Sequence, residues 1–411
     1  MKKNMLTKAA LAALATAASA GAAHAQSAPS HTTSWTGTVG EDRYGDARFK
    51  MRGRFQYDIS DQDWDIESGA AQSGFNTYVR RAFLGVQGRF NENWRYKVDF
   101  VLNPGGGNTD EVGVDDAFLE YVGGDWSIVI GEHNITSPLE DRISSLDVPF
   151  IERSALINSF GYGRLAGIGF ITGGANWHVS LAAQGDSLND SDTFGSTEQT
   201  ALSGRFTWAP IFETTPEGTR LVHLGIHARQ RDQQEDSAFD YRVRPQNGRG
   251  ERWINPAIAG SEDTTYGAEL AVQFGPFGAT AEYAVLDGET AGGLGYEYDA
   301  YYVDLYWSLT GESRNYRGNQ GSFGAIAPRN PMGGGGMGHF MVSARYDFID
   351  LSDPAGGANR GEQTAYAVGL DWVPVDHVRF KLNYAHSDMD RVGAGVDNEA
   401  DIVTLRTQFD F

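Results

Sequence analysis

The chain has 411 residues, no cysteine, 52 glycines and a formal net charge of −21. The missing thiols exclude a disulfide framework and a thiolate metal site, and the acidic surplus argues against non-specific attraction to nucleic acid. The length admits two or three ordinary domains or a single large all-β barrel.

Met1 to Ala25 sets Lys2, Lys3 and Lys8 ahead of an alanine- and leucine-rich run that closes in Ala23-His24-Ala25. That is the pattern of a secretory signal peptide over residues 1–25, followed by one barrel domain over 26–411 with Gln26 at its mature start. The remainder carries 30 basic against 54 acidic side chains, a net charge near −24, so any anion site must be local. No later run of about 18 apolar residues exists, which excludes an ordinary membrane helix but not a membrane barrel, whose strands need only about 9 to 11 alternating residues.

The first strand, RFKMRGRFQYDI, alternates Phe49, Met51, Gly53, Phe55, Tyr57 and Ile59 with Lys50, Arg52, Arg54, Gln56 and Asp58. One face is apolar and the other basic, the period-2 signature of a two-sided strand. The same alternation recurs in NWRYKVDFVLN (Trp94, Tyr96, Val98, Phe100, Leu102), DWSIVIGEH (Trp126, Ile128, Ile130) and NWHVSLAAQ (Trp177, Val179, Leu181, Ala183). It continues through TYGAELAVQFG, FGATAEYAVLD, AYYVDLYWSL, FMVSARYDFI, TAYAVGLDW and VRFKLNYAH to the terminal DIVTLRTQFDF. With less regular segments near 75–90, 113–123, 163–173, 198–208 and 220–231, these make roughly sixteen antiparallel strands, an even number like that of outer-membrane barrels.

Very short connections (FNEN, VGGD, TGGA, FGPF, VPVD) alternate with long polar ones, as periplasmic turns and external loops do. The exception is the segment from Gly311 to Gly338, long where a turn is due, and it is expected to fold into the lumen. Trp94, Trp126, Trp177, Trp208, Trp307 and Trp372 stand at strand ends, where an interfacial girdle would lie. A soluble sandwich or propeller would also alternate, but no repeat of about 40 residues supports a propeller. The fold expected is therefore an all-β, 16-stranded antiparallel transmembrane barrel with inward-folded loops. Cations that cannot favourably face lipid would then line water inside it, with Arg229 and Arg231, or Arg242 and Arg244, continuing a stepwise path. Taken one at a time, each such arginine reads better as the partner of a neighbouring Asp or Glu, given the acidic surplus; only as a set do they read as a path for anions.

Catalytic and metal patterns are weak. Ser187 in GDSL lacks a downstream Asp-x-x-His, since Asp376 adjoins His377 directly. Asp190, Asp192 and Gly195 resemble part of a calcium loop, but Phe194 and Ala201 stand where oxygen ligands are needed. His223 and His227 share a strand face at a separation read as too wide for one ion. No enzyme activity and no cofactor are expected.

Several phrases resemble the phosphate-selective porin O and P family: YVRRAFLGVQGRF (78–90), VDDAFLEY (114–121), SSLDVPFIERS (144–154), YRVRP (241–245), LTGESRNYRG (309–318), SARYDFIDL (343–351) and GLDWVPVDHVRFKLNYAHS (369–387). The resemblance implies a homotrimer of 16-stranded barrels in the bacterial outer membrane, each narrowed by an inward-folded third external loop. It implies Arg80 and Arg81 as wall arginines, Arg153 as the loop arginine, and Arg142, Ser144 and Ser145 at the constriction. Asp115 or Asp116 would be the facing carboxylate, Arg242 and Arg244 would lie on the fifth loop, and Arg314 and Arg317 at the exit. His133 and Asn134 depart from it, standing where many members have lysine. The terminal aromatic Phe411 looks like the signal read by the barrel assembly machinery, and outer-membrane lipid and lipopolysaccharide would be the surroundings. The expected function is passive diffusion of small anions, phosphate or polyphosphate foremost; a weakly selective porin or an occluded structural barrel are the alternatives.

Overall fold

The computed structural model describes residues 36–38, 48–67, 72–102, 112–189, 199–232, 239–258 and 260–411. Residues 1–25, expected to be a signal peptide, and residues 190–195, the partial calcium-loop pattern, lie outside them. Sixteen strands follow in chain order: β1 (Arg48–Ile66), β2 (Gln72–Arg89), β3 (Trp94–Leu102), β4 (Val112–Val122), β5 (Trp126–His133), β6 (Leu165–Gly173), β7 (Trp177–Gln184) and β8 (Thr200–Thr215), then β9 (Gly218–Asp232), β10 (Gly260–Phe274), β11 (Phe277–Thr290), β12 (Gly295–Ser308), β13 (His339–Leu351), β14 (Gly361–Val375), β15 (Val378–Arg391) and β16 (Val396–Asp410). Each pairs antiparallel with the next, and β16 returns to β1 from Arg54↔Asp410 to Ile66↔Asn398, closing the barrel without an edge. A three-residue strand, Thr36–Thr38, adds to β1 opposite Arg48–Lys50, beyond the end of β16. Among the described residues no helix is long and apolar enough to cross a membrane.

The pleat sorts the side chains into two faces. On β1, Gln56, Asp58, Ser60 and Gln62 are buried inside. Around the outside Leu84, Ile130, Ile168, Leu181, Leu202, Ile226, Leu305 and Val368 are exposed, the inverse of a soluble protein and the pattern of a wall against hydrocarbon. Five of the six tryptophans expected in the girdle are exposed on this surface. Trp372 is not: its Nε1 donates to Met337 O at 2.8 Å and its ring stacks on Phe340 and Phe380.

That burial comes from the 311–338 segment, which divides into two parts. Its first half folds into the lumen, where Tyr316 and Phe323 pack with Leu139, Ile143 and Val148 against the wall. Its second half stays at the rim, with Met332 N on Pro374 O at 2.8 Å and Gly338 at φ +83 beside the Val373 carbonyl, where a side chain would be strained. The inward fold expected of the whole segment therefore holds for one half only. At the same end Phe411 exchanges backbone hydrogen bonds with Gly53, and its ring lies where a Cβ of residue 53 would stand.

The outer face also locates the acidity. Beyond Tyr266, Tyr283, Tyr366 and Tyr384, toward the long loops, β11 to β16 carry Asp287, Glu289, Glu297, Asp299, Asp350, Glu362, Asp388, Asp390, Asp397 and Glu399, all half-buried or exposed. Several meet as like-charge pairs across strands: Asp388↔Glu399, Asp390↔Asp397, Asp299↔Asp350 and Asp287↔Glu297. Such pairs oppose pairing of the sheet, and His386, 3.1 Å from both Asp388 and Asp401, offsets part of this.

Candidate functional site: a cationic constriction

The β5–β6 connection, residues 134–164, is the third long loop, and it folds into the barrel. It contains two short helical turns, α1 (Leu139–Arg142) and α2 (Ala155–Ser159). A chain segment inside a barrel leaves backbone groups away from water, and each must find a partner. The wall supplies them. Glu282 of β11 accepts from Leu139 N and Glu140 N at 3.0 and 2.7 Å, and Asp347 of β13 accepts from Ala155 N at 2.9 Å. On the carbonyl side, Arg379 bonds Leu146 O, Lys381 bonds Val148 O, and Arg406 donates to Ile151 O at 2.6 Å. Glu152 is clamped between Arg80, bidentate at 2.7 and 2.8 Å, and Arg406, itself bidentate on Asp58.

Between this loop and the wall of β1 to β5 lies a space of about 370 Å³. Seven cationic side chains border it, Arg52, Arg54, Arg81, Lys97, Arg142, Arg153 and Arg164, against the four carboxylates Asp115, Asp116, Asp141 and Glu120. Arg54 donates to Ser145 Oγ at 2.8 Å with its guanidinium 4.8 Å over the Phe83 ring, and Arg81 donates to Gln56 Oε1 at 3.0 Å. Arg142 reaches Asn134 O at 3.2 Å, while its Nε is buried without a partner. Arg153 holds the carbonyls of Glu140, Asp141 and Ile143. Arg164 meets Asp115 at 3.1 Å and Asp116 at 2.8 Å, and Lys97 bonds Asp116 and lies 3.3 Å from Asp99.

Two register breaks create this crowding. Opposite β1, Gln56 faces Arg81 and Tyr57 faces Val79, so Arg80 is the extra residue of a β-bulge. Between β3 and β4, Asp99 faces Asp116 and Phe100 faces Val114, so Asp115 is extra. A strictly alternating strand would send one arginine and one aspartate of these pairs into lipid; the bulge turns both members inward. Asp115 and Asp116 thus both serve as wall carboxylates, where the sequence offered one or the other.

Electrostatics in the loop follow from burial and neighbours. Lost hydration lowers Arg142 to about 10, with Arg205 adding to it. Burial pulls Arg164 down, yet Asp116 and Asp115 hold it above its ordinary value. Burial pushes Glu152 up, but Arg80 more than reverses this and keeps it well below the carboxylate range.

On the short-turn side the constriction meets a vestibule of about 1080 Å³, sharing Lys97, Phe118, Glu120 and Gln320 with it. Arg48, Lys50, Arg89, Arg95 and Arg317 line this wider chamber.

Of the residues expected at the pore, Arg52, Arg54, Arg81, Asp115, Arg142, Ser144, Ser145 and Arg153 border the constriction, and Lys50 and Arg317 the vestibule. Six do otherwise. Arg80 clamps Glu152, Arg229 donates to Gly161 O and Phe160 O, and Arg231 pairs with Asp263. Arg314 is buried between Tyr306 and Phe323 beneath the loop. Arg242 pairs with Asp240 at 2.6 Å in the open, and Arg244 donates to Gly248 O. Sequence reasoning did not select Lys97, although it stands on the polar face of β3 with Asp99, nor Arg164, which only the fold brings to Asp115 and Asp116.

The lookalike motifs do not assemble. Ser187 donates to Glu132 at 2.7 Å near the long loops, whereas His377 pairs with Asp410 in a short turn at the other end. His223 and His227, read as too far apart for one ion, in fact both face Glu269, at 3.1 and 3.5 Å. Arg205 already holds that carboxylate bidentately at 2.7 Å through each oxygen, so a cation there would meet a guanidinium.

The sequence profile of a family described as phosphate-selective porin O and P matches residues 49–411. An uncharacterised protein of Caulobacter vibrioides is 30% identical over 372 residues, covering 88% of this chain and 72% of that one. Porin O of Pseudomonas aeruginosa is 27% identical over 407 residues, 88% of each chain. Among solved structures, the anion-selective porin from Comamonas acidovorans shares the fold at TM-score 0.52 and 12% identity, over 88% of this chain and all (100%) of that one. The outer-membrane channel DcaP of Acinetobacter baumannii does so at TM-score 0.54 and 10% identity, over 89% and 97%.

Proposed function

The chain belongs to the phosphate-selective porin O and P family and is a channel of the bacterial outer membrane; from that premise we propose that it passes small anions, with phosphate or polyphosphate the preferred solutes. The supporting observation is the excess of seven cations over four carboxylates around one narrow space, with Arg54, Arg81 and Arg142 in contact with neutral partners rather than with carboxylates. A phosphate passing here sheds water and needs donors in its place. Guanidinium forks match its oxygens and stay charged at every relevant pH. Ser144 and Ser145 add hydroxyls at the same level. Asp115 and Asp116 temper Arg164 and Lys97, so that binding stays weak enough for release, and the vestibule cations take the ion onward. Reversal potentials of the reconstituted protein in a salt gradient test this: anion over cation permeability with chloride current blocked by phosphate more than by sulfate is expected, and cation preference would reject it. An occluded barrel would instead give no discrete conductance steps.

We also infer a homotrimer. Strands β3, β5, β6 and β7 have only eight or nine residues, making a low wall whose outer face carries Ile130, Ile168 and Leu181 exposed. A wall too short for the bilayer is satisfied by packing against copies of itself. One structurally similar protein, OmpT of Vibrio cholerae, is described in a trimer form. Unheated electrophoresis at a monomer mass would count against this. The terminal Phe411, paired through its backbone with Gly53, is the proposed contact for the assembly machinery, and lipopolysaccharide the proposed outer surrounding.

A further inference from the structure

On the wall of β8 to β10 one buried carboxylate gathers ties from both inward-folded elements. Glu269 of β10 is 3% exposed and is held bidentately by Arg205 of β8. His223 Nε2 lies 3.1 Å from it, and the other nitrogen of that ring, Nδ1, lies 2.7 Å from the hydroxyl of Tyr316 in the inward half of 311–338. His227 repeats the arrangement toward the third long loop, with Nδ1 3.5 Å from Glu269 and Nε2 3.0 Å from the hydroxyl of Tyr162. A carboxylate only accepts, so with Arg205 balancing its charge each imidazole turns an N–H toward Glu269 and accepts from a tyrosine through its other nitrogen. Arg205 also reaches the inward turn itself, donating to Gln320 O at 3.3 Å and Gly321 O at 2.7 Å. The two elements touch as well, Tyr316 and Phe323 packing with Leu139, Ile143 and Val148. Gln320 is exposed and borders both the constriction and the vestibule, beside Lys97, Phe118 and Glu120. Its backbone is thus fixed to the wall while its side chain stands where the two spaces meet.

We infer that Glu269 is a positioning residue: it ties both inward elements to one point of the wall and so sets a neck at Gln320, through which the ion passes from the constriction to the vestibule. Members of a buried network orient one another, so a tie lost at one tyrosine loosens the element it held and weakens the other tie. The carboxylate itself does not meet the solute, because Arg205 and the two imidazoles enclose it. Gln320 does meet it. A neutral amide offers N–H donors to a passing anion without adding a charge that would hold it, which suits a point of release between two cationic spaces. The inference rests on the channel reading but not on the identity of the ion.

Chloride current through single reconstituted channels is recorded with inorganic phosphate at each voltage polarity, and the length of phosphate-blocked events is measured. Gln320→Ala should change that length about 2- to 10-fold, the worth of about one net hydrogen bond, and only when the voltage drives anions toward the vestibule. Tyr162→Phe and Tyr316→Phe each delete one hydroxyl and keep the ring. Each should alter event length for that polarity alone, and the double variant should depart from the product of the two, as members of one network do. Glu269→Gln should exceed either tyrosine variant; if it does not fold, the tyrosines decide. Event lengths that are unchanged, that change equally at both polarities, or that multiply in the double variant overturn the inference and leave the anion channel standing. If the channel prefers cations, the anion reading has failed and the neck is judged by cation conductance: a change in both Gln320→Ala and Tyr316→Phe supports it, and no change overturns it. Absence of any conductance step overturns both.

Discussion

Replacing Arg54 with alanine isolates the electrostatic contribution of one guanidinium to the constriction. Among the described residues Arg54 makes a single hydrogen bond, to Ser145 Oγ, and stacks over Phe83, while the loop is held elsewhere through Glu152, Glu282 and Asp347. The loop should therefore stay in place when the side chain is cut back. A phosphate about 5 Å from the lost charge loses about 0.8 kcal/mol per unit anionic charge at the dielectric constant of water and about 3 kcal/mol at an effective value near 20. The space opens to the vestibule through shared lining residues, which favours the lower end. Phosphate carries between one and two charges at neutral pH, so the loss is about 1 to 2 kcal/mol, or about 5- to 30-fold in the concentration that halves chloride current. Arg54→Lys keeps the charge but not the fork, and should fall between native and alanine. The assay is single-channel chloride current against phosphate, with circular dichroism to verify the barrel. An unchanged blocking concentration and permeability ratio in Arg54→Ala would mean that this guanidinium does not meet the passing ion.

Asp115→Asn frees Arg164 of one carboxylate and should tighten phosphate block about 3- to 10-fold while lengthening blocked events; shorter events would contradict the tempering role. Glu152→Gln leaves Arg80 and Arg406 facing a neutral amide inside the barrel, a change worth about 3 to 5 kcal/mol for a broken buried pair. It should lower the thermal unfolding midpoint and raise open-channel noise, and a quiet, equally stable variant would show that the clamp does not hold the loop. For pH, a depressed carboxylate contributes stability above its unfolded value that is lost only as pH falls through the folded one. Glu152 is such a group, so its clamp persists in moderate acid. A lowered cation remains charged until pH passes its folded value, which for Arg142 is about 10. Anion selectivity should therefore be flat from about pH 5 to about pH 9 and fall only above that range; a step near pH 6 to 7 in reversal potential would indicate a histidine in control.

The strands were legible because alternation is a local property: Arg48 to Ile59 announces its two faces without help from the rest of the chain. The bulges were not, although their signal was present. Arg80-Arg81 and Asp115-Asp116 each place two like charges side by side in a spanning strand, which no regular pleat can keep out of lipid, so an extra residue in the ladder was the consistent solution. What the wall cations do was beyond reach for a different reason. Arg229 and Arg231 look like Arg52 and Arg54 in sequence, and differ because the loop over residues 134–164 sets the Phe160 and Gly161 carbonyls against Arg229, while Asp263 of β10 pairs with Arg231. Those partners stand more than 30 residues away along the chain, a distance that periodicity does not carry.

The same division explains how so acidic a chain can hold a basic pore. Inside, most wall charges cancel in place, as Arg406 with Asp58, Arg345 with Asp304 and Arg205 with Glu269 do. A large part of the acidic surplus stands on the outer face of β11 to β16 and of β1, where Asp61, Asp63 and Asp65 continue it, across the wall and toward the loop end. An ion in the constriction meets the lining cations directly, whereas the outer carboxylates stand on the other face of the wall, where solvent and salt screen them. Local charge therefore outweighs net charge in setting which ion is favoured. It follows that substitutions in the outer acidic band should change the stability of the sheet without changing selectivity, while a charge reversal at Arg54, which takes the lining from seven cations against four carboxylates to six against five, should sharply weaken the preference for anions.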